Sequence, residues 1–341
     1  MVLGTSHGFD SHPPSRWDAG WSEVFHRSAL PYFRGSWREG ASLGPMTWLR
    51  VGGPAALMVR PADEEDLSEL FRRLGPGAPC WTMGVGSNLL VRDGGIPAMV
   101  VRLGRGFTSI VWESSWVIRA GAGLLGSQLA KETAARGYQD LTFLAGIPGT
   151  VGGALAMNAG AYGRCVADHL LWARVMDDRG EIHQLGVDEI GYRYRGHGLP
   201  SGMVFLEGCF RLTLPGDPAA AEARMAEQLA GRAATQPVRA RTAGSTFKNP
   251  QGTKSAWEWV ASVGLQGWHY GGASFSAMHA NFLINHGDAS AAALETLGEL
   301  ARLLVWEHHG VQLEWEVRRL GIPLHDQWVF SAEPHMMRWR R

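Results

Sequence analysis

The sequence predicts an α+β protein in which a two-part unit is followed by a smaller α/β unit. Three observations carry this. A strand, an amphipathic helix and further strands fill residues 41–103; a strand-rich run with one hairpin signal fills 104–214; and a polar, alanine-rich helix opens 215–322, where helices and strands alternate. Residues 1–40 mix Pro, Gly, His and Trp without a period and read as an extension, and 323–341 read as a tail.

In the first unit ALMVR (Ala56 to Arg60) is a predicted strand. Leu67, Leu70, Phe71 and Leu74 then recur at i, i+3, i+4 and i+7 behind an acidic first turn, which predicts a helix, and CWTMG (Cys80 to Gly84) and AMVVRL (Ala98 to Leu103) predict two more strands. The second unit begins with strands at Ser109 to Trp112 and Trp116 to Ala120 and a helix over Ser127 to Arg136, closed by Gly137. Leu171 to Met176 and Ile182 to Leu185 flank Asp178-Arg179-Gly180, a hairpin signal, and MVFLEGCFRL adds a strand. The third unit reads as a helix near Ser255 to Val263, the strand NFLIN, a helix with Leu294, Leu297, Leu300 and Leu304, and a last strand VQLEWEV. No repeat of fixed period interrupts this order.

At 341 residues the chain has room for several domains. Thirty-two basic residues balance thirty-two acidic ones, so no global field draws it to nucleic acid or to an anionic membrane. Cys80, Cys165 and Cys209 are widely spaced and odd in number, which fits neither a disulfide framework nor a metal site and points to a reducing compartment. No apolar leader core occurs in the first forty residues, and no run approaches the roughly 18 apolar residues of a membrane helix. A cytoplasmic protein without membrane insertion is expected.

Leu144 to Gly163, LAGIPGTVGGALAMNAGAYG, carries six glycines and no charged side chain, yet it holds Leu144, Ile147, Val151, Leu155 and Met157 and so reads as folded. Glycine recovers its entropic cost where φ is positive or where another group approaches the main chain. A second cluster lies about sixty residues earlier, in MGVGSNLLVRDGG, where Gly84, Gly86, Ser87 and Asn88 end a strand. Successive amides in such a turn can form an anion-binding nest, although a plain turn explains it equally well alone. Two such clusters without a P-loop lysine suggest a pyrophosphate gripped by main-chain amides. GAGLLG (Gly121 to Gly126) formally matches the dinucleotide fingerprint, but the acidic residue expected about 20 positions on would be Asp140, which precedes the next apolar run instead of following it. In VQLEWEVR, period two puts Val311, Leu313, Trp315 and Val317 on one face and Glu314, Glu316 and Arg318 on the other, and does not choose between the glutamates.

TWLRVGGPA (Thr47 to Ala55), GVGSNLLVRDGG, LTFLAGIPGTVGGALAMNAGAYG, Tyr192-Arg193, AGSTFKNP (Ala243 to Pro250), HANFLIN (His279 to Asn285) and LEWEVRRLG (Leu313 to Gly321) occur in this order. Together they resemble the UDP-N-acetylenolpyruvoylglucosamine reductase family, over about Thr47 to Gly321. The resemblance implies a two-part FAD-binding domain of the flavoprotein-oxidase, PCMH-like type, then a substrate-binding domain. It implies NADPH as hydride donor, and reduction of the enolpyruvyl ether of a UDP-sugar to UDP-N-acetylmuramate for peptidoglycan. The short interval from Arg193 to Ala243 resembles the branch without an extra substrate-closing loop. The motifs hold neither His nor Cys beside the glycine clusters, so the FAD is expected to be non-covalent.

By the same resemblance Arg193 stabilises the enolate, Ser245 protonates it on carbon, and Glu316 is the nearby carboxyl group whose protonation matters. Cofactor contacts fall to Arg50, Gly84, Gly86, Ser87, Asn88 and Leu89, and to Gly146, Ile147, Pro148, Gly149, Thr150, Gly152 and Gly153. Substrate contacts fall to Tyr192, Lys248, Asn249, His279 and Arg318. Physical chemistry supports the catalytic three: hydride addition leaves negative charge running into a carboxylate, which a fixed cation stabilises. A serine hydroxyl is a weak acid that depends on placement. Three residues depart from the family pattern: Trp48 stands for a threonine, Arg195 for the serine after Y-R-x, and Thr235 for a basic residue before Gln-Pro. A flavoprotein with another substrate, or a non-catalytic paralogue that only binds flavin or nucleotide sugar, are the alternatives; the retained Arg193, Ser245 and Glu316 argue against the second.

Overall fold

Apolar residues on alternating faces of 54–60 and 96–101 build the first sheet. The computed structural model describes residues 23–213 and 215–324. β1 (Ser36–Ser42), β2 (Pro54–Arg60), β3 (Cys80–Thr82), β4 (Leu89–Val91) and β5 (Ile96–Val101) lie in the first unit, and all but β4 join in one sheet of order β1-β2-β5-β3. β2 and β3 both run parallel to β5, with the helix α1 (Glu64–Leu74) crossing between them. Asp63 caps α1 by accepting the Asp66 amide at 2.9 Å, and Leu67, Leu70, Phe71 and Leu74 pack on Leu57, Val59, Met99 and Val101.

Residues 23–40, read from sequence as part of an extension, belong to this unit instead. β1 pairs antiparallel with β2 from Ser36↔Arg60 to Ser42↔Pro54, and Phe25 and Ala29 are buried in the α1 core. β1 is an edge strand exposed at all but one position, so it carries no alternation that a sequence reading could detect. The rest of the extension, and residues 325–341 of the tail, lie outside the described residues.

The second unit holds β6 (Ile110–Ser114), β7 (Val117–Gly121), α2 (Gly126–Ala134), α3 (Val151–Met157), β8 (Gly160–Ala161), β9 (Arg164–Cys165), β10 (Leu170–Met176), β11 (Ile182–Gly186), α4 (Val187–Ile190) and β12 (Val204–Arg211). Its main sheet has the order β11-β10-β12-β7-β6 and is antiparallel throughout. GAGLLG therefore leaves an antiparallel strand and does not open the parallel βαβ unit that a dinucleotide fingerprint requires. The Ala122 and Leu124 carbonyls instead accept the Gly152 and Val151 amides, each at 2.8 Å, which ties this turn to the glycine-rich stretch.

α5 (Pro218–Thr235), which the sequence reading grouped with the third unit, packs on the second. Met225 joins its core, the Tyr162 hydroxyl donates to the Gln228 carbonyl at 2.6 Å, and Arg224 reaches Gln139 at 3.3 Å. The third unit comprises α6 (Ala256–Ser262), the antiparallel sheet β13 (His269–Tyr270), β14 (Ala273–Phe275) and β15 (Leu283–Asn285), the long helix α7 (Ala291–His309), and β16 (Arg318–Leu320).

The expected last strand over 311–317 is not a regular strand. Leu313, Trp315 and Val317 are buried as the alternation requires, but the main chain pairs only through Phe247↔Trp315 before becoming β16. β16 then runs parallel to β4, Arg318 opposite Leu89, so the third unit is stitched to the first.

Candidate active site

The two glycine clusters meet. Ser87 Oγ donates to the Pro148 carbonyl at 2.7 Å, and a Cβ on Gly84 would stand 2.8 Å from Thr150 Oγ1. Gly86, at φ +68°, has Met46 O only 2.5 Å from where its Cβ would be, and Gly149 sits at φ +151° facing Ser87 Oγ. Thr150 caps α3, accepting the Gly153 amide at 3.3 Å. Gly152 has a packing reason to lack a side chain, because its Cβ would lie 2.8 Å from Ala122 Cβ and 3.0 Å from Ala122 O. Gly153 differs: only Thr150 Oγ1, at 3.6 Å, would touch its Cβ. Gly146 is buried near Tyr162, and Ile147, Pro148, Asn88 and Leu89 are half-buried along the junction.

Arg50 adopts φ +57°, and its guanidinium donates to the Pro45 carbonyl. The Trp48 amide donates to the Gly86 carbonyl at 3.0 Å, joining this motif to the first cluster. Arg50 lines a cleft of about 620 Å³ with Pro45, Trp48, Arg239, Ala240 and Arg241, so three arginines border one cleft. Such a cleft suits an anion. Thr235 ends α5 with its hydroxyl on the Gly231 carbonyl and takes no part here.

Beside the first cluster the pairing of β4 with β16 sets Arg318 and Glu316. Asn88 clamps this segment: its Nδ2 donates to the Glu316 carbonyl at 3.1 Å, and its carbonyl accepts the Arg318 amide at 3.0 Å. On the other side the Glu316 amide donates to Thr246 O at 2.8 Å and the Lys248 amide to Glu314 O at 2.8 Å. Ser245 and Glu316 thus lie on hydrogen-bonded neighbouring segments against the Gly84 to Leu89 turn. Ser245 is half-buried, paired through the main chain with Phe282, and its hydroxyl has no hydrogen-bond partner among the described residues. Asn281 of HAN locks the Ser245 segment with two bonds to the Phe247 main chain, at 2.9 and 2.8 Å.

Glu316 is the glutamate turned inward, with its side chain 16% exposed against 70% for Glu314. Burial pushes its carboxyl up from the usual carboxylate range, while Arg195 and then Lys248 pull it back. Arg195 Nε lies 2.8 Å from Glu316 Oε1. Arg193, by contrast, is exposed, and its guanidinium donates to the His197 carbonyl at 3.1 and 2.7 Å. His197 is held down to about 4 by burial and then by Arg318 and Arg193, so those two guanidinium groups share one neighbourhood. The Tyr192 hydroxyl is buried without a hydrogen-bond partner among the described residues, and burial pushes its pKa up.

Lys248 is ion-paired with Glu314 at 3.2 Å, and Asn249 spends its Oδ1 on the Ala256 amide at 3.0 Å, a local role at the start of α6. His279 accepts the Asn281 amide on Nδ1 at 3.3 Å, and burial lowers its pKa. Sequence reasoning missed Asn158 as well as Asn281. Asn158 ends α3 at φ +42° and bonds the Arg193 carbonyl, a left-handed helix end that its asparagine signals. Among the described residues no group of three or more His, Cys, Asp or Glu could hold a metal ion, and no helix is long and apolar enough to cross a membrane.

Residues 55–186 match the family model described as an FAD binding domain, and residues 236–320 match that of the UDP-N-acetylenolpyruvoylglucosamine reductase C-terminal domain. The chain is 48% identical over 305 residues to the UDP-N-acetylenolpyruvoylglucosamine reductase of Paracoccus denitrificans, covering 86% of this chain and 99% of that protein. The chain belongs to the UDP-N-acetylenolpyruvoylglucosamine reductase family. The reductase of Azorhizobium caulinodans is 48% identical over 296 residues, with 87% of this chain and 95% of the relative covered. The crystal structure of the Thermus caldophilus reductase superposes with a TM-score of 0.73 at 34% identity, covering 85% of this chain and all of that one. Members of this reductase family are FAD-binding oxidoreductases, and the α+β architecture with its FAD-binding domain is theirs. The residues here fit that cofactor: main chain at Gly149 and Gly153 with room left beside it, and a cleft lined by three arginines, leave groups to receive it.

Proposed function

We propose that this enzyme reduces the enolpyruvyl ether of UDP-N-acetylglucosamine to UDP-N-acetylmuramate with NADPH, in the cytoplasm, as a step of peptidoglycan precursor synthesis. On this reading the FAD-binding parts are the first unit, which takes in residues 23–40, and the second, on which the helix Pro218–Thr235 packs, and the substrate-binding part is the third unit up to 322. FAD, when bound, supplies the hydride taken from NADPH. The residues of the two glycine clusters and Arg50 hold it, and Tyr192, Lys248, Asn249, His279 and Arg318 hold the nucleotide substrate.

The observation that carries the reading is the meeting of Ser245 and Glu316 on hydrogen-bonded segments clamped by Asn88 of the first glycine cluster. Negative charge developing toward the substrate carboxylate is stabilised by Arg193, with the Glu316 carboxyl group beside it. Ser245 delivers a proton to carbon, and its hydroxyl is committed to no other acceptor among the described residues. Glu316, kept high in proton affinity by burial, supports that transfer from the adjacent segment.

The test separates the half-reactions. Ser245→Ala binds FAD and is reduced by NADPH, while reoxidation by the enolpyruvyl substrate slows by roughly 10² to 10⁴. Anaerobic stopped-flow absorbance at flavin wavelengths follows each step alone. Reoxidation of Ser245→Ala at the wild-type rate would move the proton donor elsewhere.

A further inference from the structure

We propose that Arg195 is the positioning residue of Glu316, fixing the orientation and charge balance of its carboxyl group from the tip of a tight turn on the facing unit. This rests on the proposed role of Glu316.

The main chain of Glu316 is already pinned, by Asn88 on its carbonyl and by Thr246 on its amide. What remains free is the side chain, and Arg195 takes it, Nε to Oε1 at 2.8 Å, with the two side chains only 21% and 16% exposed. The guanidinium is itself anchored: Nη2 donates to the Gly160 carbonyl at 3.3 Å, and its Cζ lies 5.0 Å from the Tyr194 ring centroid. One side chain therefore joins the Arg193 turn, the glycine-rich stretch and the third unit. A side chain as short as serine would not span this gap.

The backbone is committed to the same end. Arg193 and Gly196 exchange both main-chain bonds, at 3.0 and 3.2 Å, closing a two-residue turn on Tyr194 and Arg195. Arg195 occupies its left-handed corner at φ +57°, where glycine or asparagine is favoured. A long charged side chain held in such a conformation marks a position where the side chain's task outweighs local preference. The same turn directs Arg193 away to the His197 carbonyl, so the two arginines divide the work.

The charged groups around Glu316 are Arg195 from the turn, Lys248 from the neighbouring segment, and Arg318 two residues along its own segment. Lys248 is also engaged with Glu314, which leaves Arg195 as the close counter-charge. Removing a cation at this distance raises a carboxyl pKa by roughly one to three units.

Three variants test this: Glu316→Gln, Arg195→Met and Arg195→Lys. Selective ¹³C-glutamate labelling, with the signal assigned by its absence in Glu316→Gln, gives the Glu316 carboxyl titration without any turnover. The expected result is a midpoint roughly one or more pH units higher in Arg195→Met and near wild type in Arg195→Lys. In parallel, the limb of the pH–rate profile that vanishes in Glu316→Gln moves upward in Arg195→Met. Arg195→Lys keeps its position but loses rate, because an ammonium lacks the rigid planar geometry of guanidinium. Reoxidation falls by about 10² in Arg195→Met, as expected for a misplaced group. An unmoved carboxyl midpoint in Arg195→Met overturns the proposal, and so does full rate in that variant. If Glu316→Gln itself keeps full activity, it is the role of Glu316 that fails, and that outcome is separately visible.

Discussion

Gly152 and Gly153 are adjacent, yet the space around them differs. A side chain at Gly152 would run into Ala122, whose carbonyl also accepts the Gly152 amide at 2.8 Å, so the turn after β7 cannot withdraw. Gly152→Val is expected to lose about 1 to 3 kcal/mol of stability through overpacking. At Gly153 the chain meets only Thr150 Oγ1 at ordinary contact distance. Gly153→Val is therefore expected to keep the thermal midpoint of the apoprotein and lose bound FAD, because its side chain enters the junction that the main chain leaves bare. Scanning calorimetry of flavin-free protein and the flavin-to-protein absorbance ratio separate the cases; stoichiometric flavin in Gly153→Val would contradict this account. The glycines were legible because a backbone requirement leaves a compositional mark. What the sequence could not tell was which glycine serves packing, since the partner, Ala122, is thirty positions away. Nor could it tell which arginine of Tyr192-Arg193-Tyr194-Arg195 turns to Glu316, because that depends on a single left-handed residue.

At the level of elements, α7 carries the seam between the third unit and the site. Gly298 lies inside this helix, where alanine would ordinarily gain about 1 kcal/mol. Here the Trp315 ring fills the missing side chain's space, with Cη2 2.2 Å from an added Cβ. The ring is held on its other sides, since its Nε1 donates to Glu299 at 2.7 Å, Phe247 lies 5.3 Å away and the Arg319 guanidinium sits over it at 4.7 Å. Steric cost exceeds the helical gain, so Gly298→Ala is expected to lower the urea midpoint by a net loss of roughly 1 to 2 kcal/mol. Because Trp315 precedes Glu316, oxidative turnover falls with it. A midpoint at or above wild type would show that the ring can move aside. Periodicity exposed α1 and α7, for each has one buried face, while the Asp178-Arg179-Gly180 turn exposed the hairpin of β10 and β11, whose second strand has no buried position. Periodicity failed where burial and hydrogen bonding part company: β1 pairs at every position but Gly40 while almost fully exposed, and 311–317 alternates in burial while bonding irregularly to Thr246 and Lys248.

Across the whole molecule the cores are interlocked, which sets how stability responds to pH. Leu49, Val51 and Leu90 of the first unit lie in the third unit's core. Asn285 donates to Leu49 O at 2.7 Å, Asp93 accepts the first amides of α7 at 2.9 and 3.0 Å, and Arg92 pairs with buried Glu295 at 2.7 Å. No local pattern announces these links, because each joins residues roughly 200 positions apart. Titration in any unit is thereby coupled to unfolding of the rest. Three histidines are held below their ordinary value of 6.5, each first by burial: His169 in the second unit, His197 beside Arg193 and Arg318, and His279 near the Ser245 segment. A histidine lowered in the fold takes its proton in the unfolded chain first. Between about 6.5 and about 4, the folded value of His197, the unfolded state therefore binds more protons, and stability falls as pH falls. The raised Glu316 works in the opposite sense, taking a proton earlier in the folded state, but it is one group against three. Asp63 and Asp177, lowered from 3.8, add their loss only at still lower pH. The expected outcome is a thermal midpoint that declines from about pH 7 to about pH 4.5, and declines less in His197→Asn. Asparagine can still accept the Leu199 amide that His197 Nδ1 accepts at 3.1 Å, so the variant removes the titration and not the hydrogen bond. Calorimetry of the flavin-free protein across this range decides it: a midpoint that is flat, or that rises on acidification, would mean these imidazoles are solvated and free to charge in the fold.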